Sequence, residues 1–414
     1  MRAAAAARAR VKPKPPLEYN ILLTATLCLL ALGAVMVYSA SSARTLLQGQ
    51  GEGTTYLVRY VVYGAIGFVA LHVIARRGLD VVVRLTGPLL GFAFFCLVAV
   101  KLPGLGVEVN GARRWLGAGP LIFQPSEMAK LALVLYAAKF LATKPGRLRS
   151  PRSVTPLLLV GGTMLLLVAS QPDLGTALVI AFTLTALLVA AGLPVRYLLI
   201  GAGILAFLVS VYAISEPYRR ARLTTFLDPW SHAGGAGFQA VQGQIALGSG
   251  GLFGRGIGQS VQKIFYLPEA HTDFILAIIG EELGVAGVFV VLFLYGMIAY
   301  AGLRVAKAAR GAYAKLLAAG VTSLILSQAS LNVFAVLGLA PLTGVPLPFI
   351  SYGATNLTVL LAGMGLLLNV AAGGSARLRV VEGSRRHGAD DRDRGRRDSG
   401  ARGAGAGRRR RTAG

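Results

Sequence analysis

Residues 266–279 read Tyr-Leu-Pro-Glu-Ala-His-Thr-Asp-Phe-Ile-Leu-Ala-Ile-Ile, and they join a polar, glycine-rich stretch to a strongly apolar one. The last carboxylate of the polar stretch, Asp273, stands two residues before Ile275. An ionisable side chain at the edge of a membrane helix is costly unless it has a partner or a task. Asp273 is therefore the first functional candidate in the chain.

Apolar segments recur on both sides of this junction. Hydrophobic residues make up 55% of the 414 residues and charged residues only 14%, which is typical of a polytopic membrane protein. A membrane helix needs about 20 apolar residues to cross about 30 Å of hydrocarbon. This length predicts an all-α fold of about ten transmembrane helices near 18–40, 57–75, 85–103, 126–143, 154–170, 174–193, 197–215, 274–302, 317–340 and 352–372.

Charge placement predicts the orientation of these spans. With the N-terminus inside, the short inner loops hold 12 basic residues and the short outer loops hold 3, which is the cytoplasmic excess expected for membrane proteins. Both termini are then cytoplasmic, and the long loop 216–273 between spans seven and eight is extracytoplasmic. Only Gln171-Pro172-Asp173 separates spans five and six. If residues 154–193 formed one long span instead of two, the orientation of every later span and loop in the membrane would be inverted.

The net charge of +25 is concentrated at the two ends of the chain. We expect a basic N-terminal tail (1–17), one membrane domain (18–372) and a disordered, arginine-rich C-terminal tail (373–414). The C-terminal tail carries 13 arginines. Basic tails beside membrane spans favour contact with anionic inner-leaflet lipid over nucleic-acid binding. The two cysteines, Cys28 and Cys96, lie in apolar runs and predict neither disulfides nor a metal site.

Polar residues cluster at one predicted span boundary around residues 110–130. Arg113 and Arg114 stand side by side, a pair that suits phosphate recognition, although they could equally extend to lipid headgroups. Pro125-Ser126 is typical of a helix start. Glu127 and Lys130 are three residues apart on that helix, which allows either an intramembrane ion pair or ligand binding.

Three further polar clusters follow along the chain. Asp173 is expected to cap the sixth span, with a functional role as the alternative. The long loop carries Arg219 and Arg222 and a glycine run without the spacing of a P-loop. Residues 341–353 hold three prolines and predict a non-helical re-entrant segment, which membranes tolerate only when it is buried in protein or lines a cavity.

Six motifs of this chain, in order, carry a resemblance to a known family. They are GARRWLG, FQPSEMAKL, QPDLGTAL, YRRARLTTFLDPW, YLPEAHTDFILAIIGEELG and PLTGVPLPFISYG. Together they make residues 18–372 similar to the SEDS family (shape, elongation, division and sporulation), and more to its cell-division branch than to its elongation branch. The chain departs from the family pattern at Ala354-Thr355-Asn356, where members continue with glycine and small hydroxyl residues, and this puts a site role for Thr355 in doubt.

The resemblance implies a peptidoglycan glycosyltransferase that polymerises lipid II on the outer face of the bacterial cytoplasmic membrane, at the division septum. It implies that Asp273 is catalytic, acting as general base on the acceptor 4-hydroxyl, which displaces undecaprenyl pyrophosphate and forms a β-1,4 link with inversion. The expected substrate-binding residues are Arg113, Arg114, Glu127, Lys130, Asp173, Arg219, Arg222, Glu269, His271 and Ser351.

The leaving pyrophosphate needs positive charge. Arginines or a divalent cation, Mg²⁺ or Mn²⁺, could supply this charge, and no organic cofactor is expected. Glu269 and His271 could orient Asp273 or touch a metal, whose ligands we leave unassigned. Glu281 could share a helix face with Asp273 near the cavity, but an ion pair between Glu281 or Glu282 and a basic residue is an equal alternative.

The family resemblance also predicts partners. These are lipid II and nascent lipid-linked glycan, a class B penicillin-binding protein, other division proteins and membrane lipids, with no nucleic acid. The chain lacks an S-x-x-K motif paired with K-T-G, so crosslinking would come from the partner. Three alternatives stay open: a lipid II flippase motivated by the intramembrane carboxylates, an elongation-type polymerase, and a non-catalytic scaffold.

Overall fold

The computed structural model describes residues 16–376 apart from residues 48, 50–52, 110, 119–120, 144–150, 215–224, 236 and 265. The two predicted tails lie almost entirely outside these residues, so their disorder stays a prediction. The α-helices are α1 (Leu17–Leu47), α2 (Thr55–Arg76), α3 (Leu79–Ala99), α4 (Pro125–Ala142), α5 (Thr155–Ala169), α6 (Leu174–Ala190), α7 (Val195–Ile214), α8 (Phe238–Ser249), α9 (Ile275–Ala308), α10 (Ala312–Val336) and α11 (Ala354–Ala371). Short 3₁₀ turns cover Pro151–Ser153 and Trp230–His232.

Each of the ten predicted spans coincides with one of these helices, and α8 is an additional helix inside the long polar loop. Among the described residues, six helices are long and apolar enough to cross a membrane: α1, α2, α3, α9, α10 and α11. Helices α5 and α6, together with residues Val195–Val211 of α7, are apolar but shorter. The protein is thus a mostly helical, multi-pass membrane protein, and the count of ten crossings stays a prediction.

The junction between α5 and α6 is a true chain reversal. Helix α5 ends at Ala169, α6 begins at Leu174, and the two helices pack against each other. The alternative of one long span across Gln171-Pro172-Asp173 is therefore not what the chain adopts. Proline at this point has no N–H to continue a helix, which accounts for the break.

A small antiparallel sheet precedes α4 and was not part of the all-α prediction. Its strands, in spatial order, are β1 (Gly106–Val109), β2 (Ala112–Ala118) and β3 (Leu121–Phe123). Trp115 of β2 lies opposite Val107 of β1, and Leu116 lies opposite Phe123 of β3. Strands of three to seven residues are too short to be recognised as apolar runs of helical length.

Helix α10 forms the centre of the helical domain. It packs against α4, α6, α9 and α11, and most of its side chains are buried. Two of its buried side chains, Gln328 and Asn332, are amides. Because buried amides require hydrogen-bond partners, this helix must meet polar groups of other segments.

Two of those polar groups, the carbonyl groups of Val345 and Pro346, belong to residues 341–353, which we call the re-entrant segment. The segment is non-helical, and its Phe349 and Ile350 are almost completely buried. A Cβ added at Gly33, in the middle of α1, would lie 2.8 Å from the Phe349 carbonyl oxygen. The segment therefore reaches the depth of a helix centre, enclosed by protein as irregular backbone at that depth requires.

Helices α2 and α11 approach closely because glycine stands at their crossing. A Cβ added at Gly67 would lie 2.6 Å from Leu361 Cδ1, and one added at Gly365 would lie 2.6 Å from the Leu71 carbonyl oxygen. Small residues at such positions let two membrane helices pack backbone to backbone.

We expect Gly365→Ala to destabilise the protein by about 1–3 kcal/mol, because the new methyl group meets the rigid backbone of α2. Gly91→Ala on α3 is the matched control, since no atom lies within 4 Å of a Cβ there. Thermal unfolding of both variants in detergent checks this. Equal midpoints for Gly365→Ala and the wild type would contradict the close crossing.

Candidate active site

Asp273 lies at the end of a tight turn, half-buried, directly before the first residues of α9. The Thr272 hydroxyl donates to Asp273 Oδ1 at 3.1 Å and to the Glu269 carbonyl oxygen at 2.9 Å. Glu269 has φ 59°, a left-handed conformation that non-glycine residues seldom adopt. The turn thus fixes the direction in which the Asp273 carboxylate leaves the backbone.

The re-entrant segment lies against Asp273. Asn332 Nδ2 of α10 donates to the Asp273 carbonyl oxygen at 2.7 Å and to the Val345 carbonyl oxygen at 2.8 Å. A Cβ added at Gly344, where φ is 67°, would lie 3.8 Å from Asp273 Oδ2. One buried amide therefore holds the aspartate backbone and the segment together, and glycine keeps the segment's backbone close to the carboxylate.

The carbonyl groups of the re-entrant segment are bound one by one from the surrounding helices. The Tyr60 hydroxyl donates to the Phe349 carbonyl oxygen at 2.5 Å, and the Tyr295 hydroxyl donates to that of Pro348. Gln328 Nε2 donates to the Pro346 carbonyl oxygen at 3.0 Å. These bonds offset the cost of placing irregular backbone at membrane depth.

Ser351, one of the predicted substrate-binding residues, is buried in this segment. Its hydroxyl accepts from the Leu347 backbone N–H at 2.8 Å, and its own N–H donates to the Leu347 carbonyl oxygen at 3.0 Å. These two bonds close a local turn, so the Ser351 hydroxyl stabilises the conformation of the segment itself.

Glu127 and Lys130 form the buried ion pair that their spacing allowed. Lys130 Nζ lies 2.9 Å from Glu127 Oε2 and 3.0 Å from Glu127 Oε1, with side-chain exposures of 1% and 2%. It also donates to Gln328 Oε1 at 2.8 Å. Because Gln328 binds the Pro346 carbonyl oxygen as well, the pair is connected to the re-entrant segment.

Asp173 caps α6, as the sequence predicts. Its Oδ1 accepts from the Thr176 N–H and its Oδ2 accepts from Gln124 Nε2, both at 3.1 Å. A Cβ added at Gly175 would lie 2.4 Å from the Thr343 carbonyl oxygen. Residues 343 and 344 therefore lie between the start of α6 and the Asp273 carboxylate.

The two neighbouring arginines of β2 do not act as a pair. Arg114 donates from Nε to the Gln171 carbonyl oxygen at 3.0 Å and from Nη2 to that of Pro172, and so it holds the turn that carries Asp173. Arg113 forms an exposed ion pair with Glu108, with 3.2 Å between Nε and Oε2. Successive residues of a strand point to opposite faces, which explains the separation. Arg219 and Arg222 lie outside the described residues.

His271 lies in an aromatic cluster beside the turn that carries Asp273. Its ring centroid is 4.2 Å from that of Tyr56 and 5.7 Å from that of Tyr352, and its carbonyl oxygen accepts from the Tyr352 N–H at 2.9 Å. Burial lowers the pKa of His271 to about 4, and the positive charge of Arg44 adds to this effect. The imidazole is therefore neutral at neutral pH.

Glu281 and Glu282 form ion pairs, the alternative that the sequence left open beside a role in the cavity. Lys263 Nζ lies 2.7 Å from Glu282 Oε1, and Ser39 Oγ donates to the same carboxylate at 2.7 Å. Glu281 Oε2 accepts from Ser260 Oγ at 2.5 Å. Lys263 belongs to the polar loop and Ser39 to α1, so this network joins distant parts of the chain. Local sequence patterns do not reveal such contacts.

The arrangement as a whole places residues 343 and 344 of the re-entrant segment between Asp273 and the turn at Asp173. The Glu127–Lys130 pair reaches the same segment through Gln328. The described residues contain no group of three or more His, Cys, Asp or Glu side chains that could hold a metal ion by itself. A carboxylate fixed beside a glycine backbone is suited to accept a proton from a bound hydroxyl group.

Comparison with known proteins identifies relatives across most of the chain. The profile of the FtsW/RodA/SpoVE family, described as cell cycle protein, matches residues 20–375. The probable peptidoglycan glycosyltransferase FtsW of Geobacter sp. strain M18 is 40% identical over 353 residues, 85% of this chain and 96% of that protein. Stage V sporulation protein E of Bacillus subtilis is 39% identical over 354 residues, again 85% of this chain and 96% of that protein.

Solved structures agree with these sequence relatives. A chain from a study of how a peptidoglycan synthase complex coordinates polymerization and crosslinking has a TM-score of 0.71 at 31% identity, covering 86% of this chain and 98% of that one. The rod shape determining protein RodA of Thermus thermophilus has a TM-score of 0.64 at 30% identity, covering 86% of this chain and 97% of that one.

The low pKa of His271 predicts a loss of stability in acid. Since the folded pKa of about 4 lies below the unfolded value of about 6.5, the unfolded state binds more protons between these values, and stability rises with pH there. Lowering the pH from 7 to 5 should cost about 2 kcal/mol through His271. Thermal unfolding of the wild type and His271→Gln at both pH values checks this. An equal pH effect in the two proteins would contradict it.

We expect Lys263→Met to destabilise the protein by about 3 kcal/mol, because Glu282 would stay buried without its cation. Glu108→Gln, which breaks the exposed pair with Arg113, should cost less than about 1 kcal/mol. Unfolding in detergent compares the two variants. The double variant Lys263→Met with Glu282→Leu should recover stability, and equal losses for both single variants would refute the buried pair.

Proposed function

The chain belongs to the FtsW/RodA/SpoVE family of cell cycle proteins, and from that premise we propose that it polymerises lipid II with Asp273 as the general base. The chain is a peptidoglycan glycosyltransferase of the FtsW-like kind, since several relatives bearing that name are about 40% identical over most of its length. The observation that supports the role of Asp273 is the position of its carboxylate, which is held beside Gly344 of the buried re-entrant segment.

The reaction we propose is a single inverting displacement. The acceptor's 4-hydroxyl oxygen bonds to the anomeric carbon of the lipid-linked donor, whose bond to undecaprenyl pyrophosphate breaks. The hydroxyl proton passes to Asp273, and the product is a β-1,4 link. Thr272 supports this role, because its hydroxyl donates to Oδ1 and so orients the carboxylate. A good leaving group needs no general acid.

Charge stabilisation of the leaving pyrophosphate is the second part of the proposal. Arg114 lies beside the turn of Asp173, and Arg113, Arg219 and Arg222 are further candidates. Mg²⁺ or Mn²⁺ would serve the same purpose by neutralising the diphosphate. Such an ion is often held by one or two carboxylates and the substrate phosphates. Glu269, whose Oε2 lies 3.5 Å from the Thr272 hydroxyl, would supply one such carboxylate beside Asp273.

We propose ten spans with both termini in the cytoplasm and the 216–273 loop outside, in the bacterial cytoplasmic membrane at the division septum. The 12 to 3 excess of basic residues in the inner loops supports this orientation. It places Asp273 on the side of the membrane where lipid-linked disaccharide is polymerised. The division role rests on the FtsW-like sequence.

The proposed partner is a class B penicillin-binding protein, alongside lipid II, nascent glycan and other division proteins. A similar chain occurs in work on a synthase complex that couples polymerization with crosslinking. The sequence has no transpeptidase motif pair, so a separate enzyme would form the crosslinks.

A lipid II flippase has less support than a polymerase. Its motivation was the set of intramembrane charges Glu127, Lys130, Glu281 and Glu282. All four have close polar partners, in two separate networks. A translocation route would have to break these pairs.

Lipid II polymerisation by purified protein with its class B partner tests the proposal. We expect Asp273→Asn to lower the rate by at least about 100-fold, because general base catalysis is lost. Asp228→Asn is the matched control, an exposed carboxylate of the same loop that caps Ser231 at 3.2 Å. It should leave the rate unchanged. Equal rates for Asp273→Asn and wild type, with equal folding and complex formation, would remove Asp273 from the mechanism.

A further inference from the structure

Helices α1 and α9 carry two polar layers, one towards each end of their contact. In one layer Glu18 Oε1 lies 3.2 Å from Arg304 Nε, and in the other Ser39 Oγ donates to Glu282 at 2.7 Å. The layers are 21 residues apart on α1 and 22 residues apart on α9. At 1.5 Å per residue this is about 32 Å, which matches the thickness of the bilayer hydrocarbon.

The exposure of α9 changes at the second layer. Residues 275–282 are all buried, whereas Val285, Phe289, Val290 and Phe293 are exposed. Exposed apolar side chains along a membrane helix lie in the hydrocarbon layer, where lipid or another apolar helix meets them. The outer edge of the hydrocarbon therefore lies close to Gly284, whose φ 69° and ψ −164° break the helix.

A segment of the polar loop fills this break. We call residues 250–256 the strap. The Val285 N–H donates to the Gly251 carbonyl oxygen at 3.0 Å and the Ala286 N–H donates to that of Leu252 at 3.1 Å, while the Gly256 N–H donates to that of Glu282 at 3.0 Å. These backbone bonds hold the strap rigidly beside the edge of the hydrocarbon.

The strap presents two apolar side chains that the protein does not cover. Leu252 is 69% exposed and Phe253 is 84% exposed. They continue the lipid-facing surface that begins at Val285. Arg255, which follows them, is partly exposed and lies 3.7 Å from Glu281 Oε1, at the height where lipid phosphates lie.

We propose that Leu252 and Phe253 insert among the acyl chains of the outer leaflet and anchor the catalytic loop to the membrane surface. The assignment to the outer leaflet rests on the proposed orientation. Lipid is the occupant because the two side chains are continuous with the exposed face of a membrane-spanning helix. The anchor acts on the site through α9, since the strap is bonded to the helix that begins beside Asp273.

Spin labels test this proposal in the full chain, reconstituted as single copies in nanodiscs of phosphatidylcholine and phosphatidylglycerol. Cys28→Ser and Cys96→Ala remove the native thiols. Labels are then placed by Phe253→Cys and, independently, by Leu252→Cys. Phe289→Cys is the hydrocarbon standard, and Glu108→Cys on the exposed face of the small sheet is the aqueous standard.

We expect the Phe253 and Leu252 labels to collide more with oxygen than with a water-soluble nickel chelate, at a depth between the two standards. Nickel accessibility equal to that of Glu108→Cys would overturn the proposal. Protection from both reagents would overturn it too, because it would mean that protein covers the strap. The measurement reads lipid contact without turnover, so loss of the proposed polymerase activity would leave this result standing.

Discussion

Irregular backbone at membrane depth is costly, and this cost determines how the helices of the protein are arranged. Residues 341–353 are non-helical, so their carbonyl groups lack the regular partners of a helix, and the bilayer offers no water to replace those partners. The surrounding helices therefore supply donors from Tyr60, Gln328 and Asn332, each aimed at a carbonyl group of the segment. Buried polar side chains usually destabilise a membrane protein, but these three stabilise it because they bind the carbonyl groups of the segment.

The same donors organise the chemistry. Asn332 binds the backbone of the segment and of Asp273 together, and Gln328 binds the segment and the Glu127–Lys130 pair. The Asp273 carboxylate, the buried ion pair and the start of α6 thus share one rigid support. A break of α9 at Gly284 separates the buried start of the helix, which follows Asp273, from its exposed part, and residues 250–256 form backbone hydrogen bonds on both sides of this break.

Local patterns in the sequence predict every helix named above except α8, the cap at Asp173 and the re-entrant segment, because each is encoded by neighbouring residues. The spacing of Glu127 and Lys130 allows their ion pair as one of two alternatives. Contacts between distant residues were not predictable in this way. Lys263 meets Ser39, 224 positions away, to share Glu282, and no spacing rule links them. Arg113 and Arg114 were expected to act together because no strand was predicted there, and strand alternation separates them.

The re-entrant segment positions Asp273 through Asn332, whose side-chain amide binds both. The most direct test is the rate of lipid II polymerisation by Asn332→Ala, with lipid II binding and thermal stability measured on the same sample. We expect a loss of about 100-fold in rate with binding retained, because a small displacement of the base is enough to slow the reaction. Wild-type turnover in a correctly folded Asn332→Ala protein would contradict it.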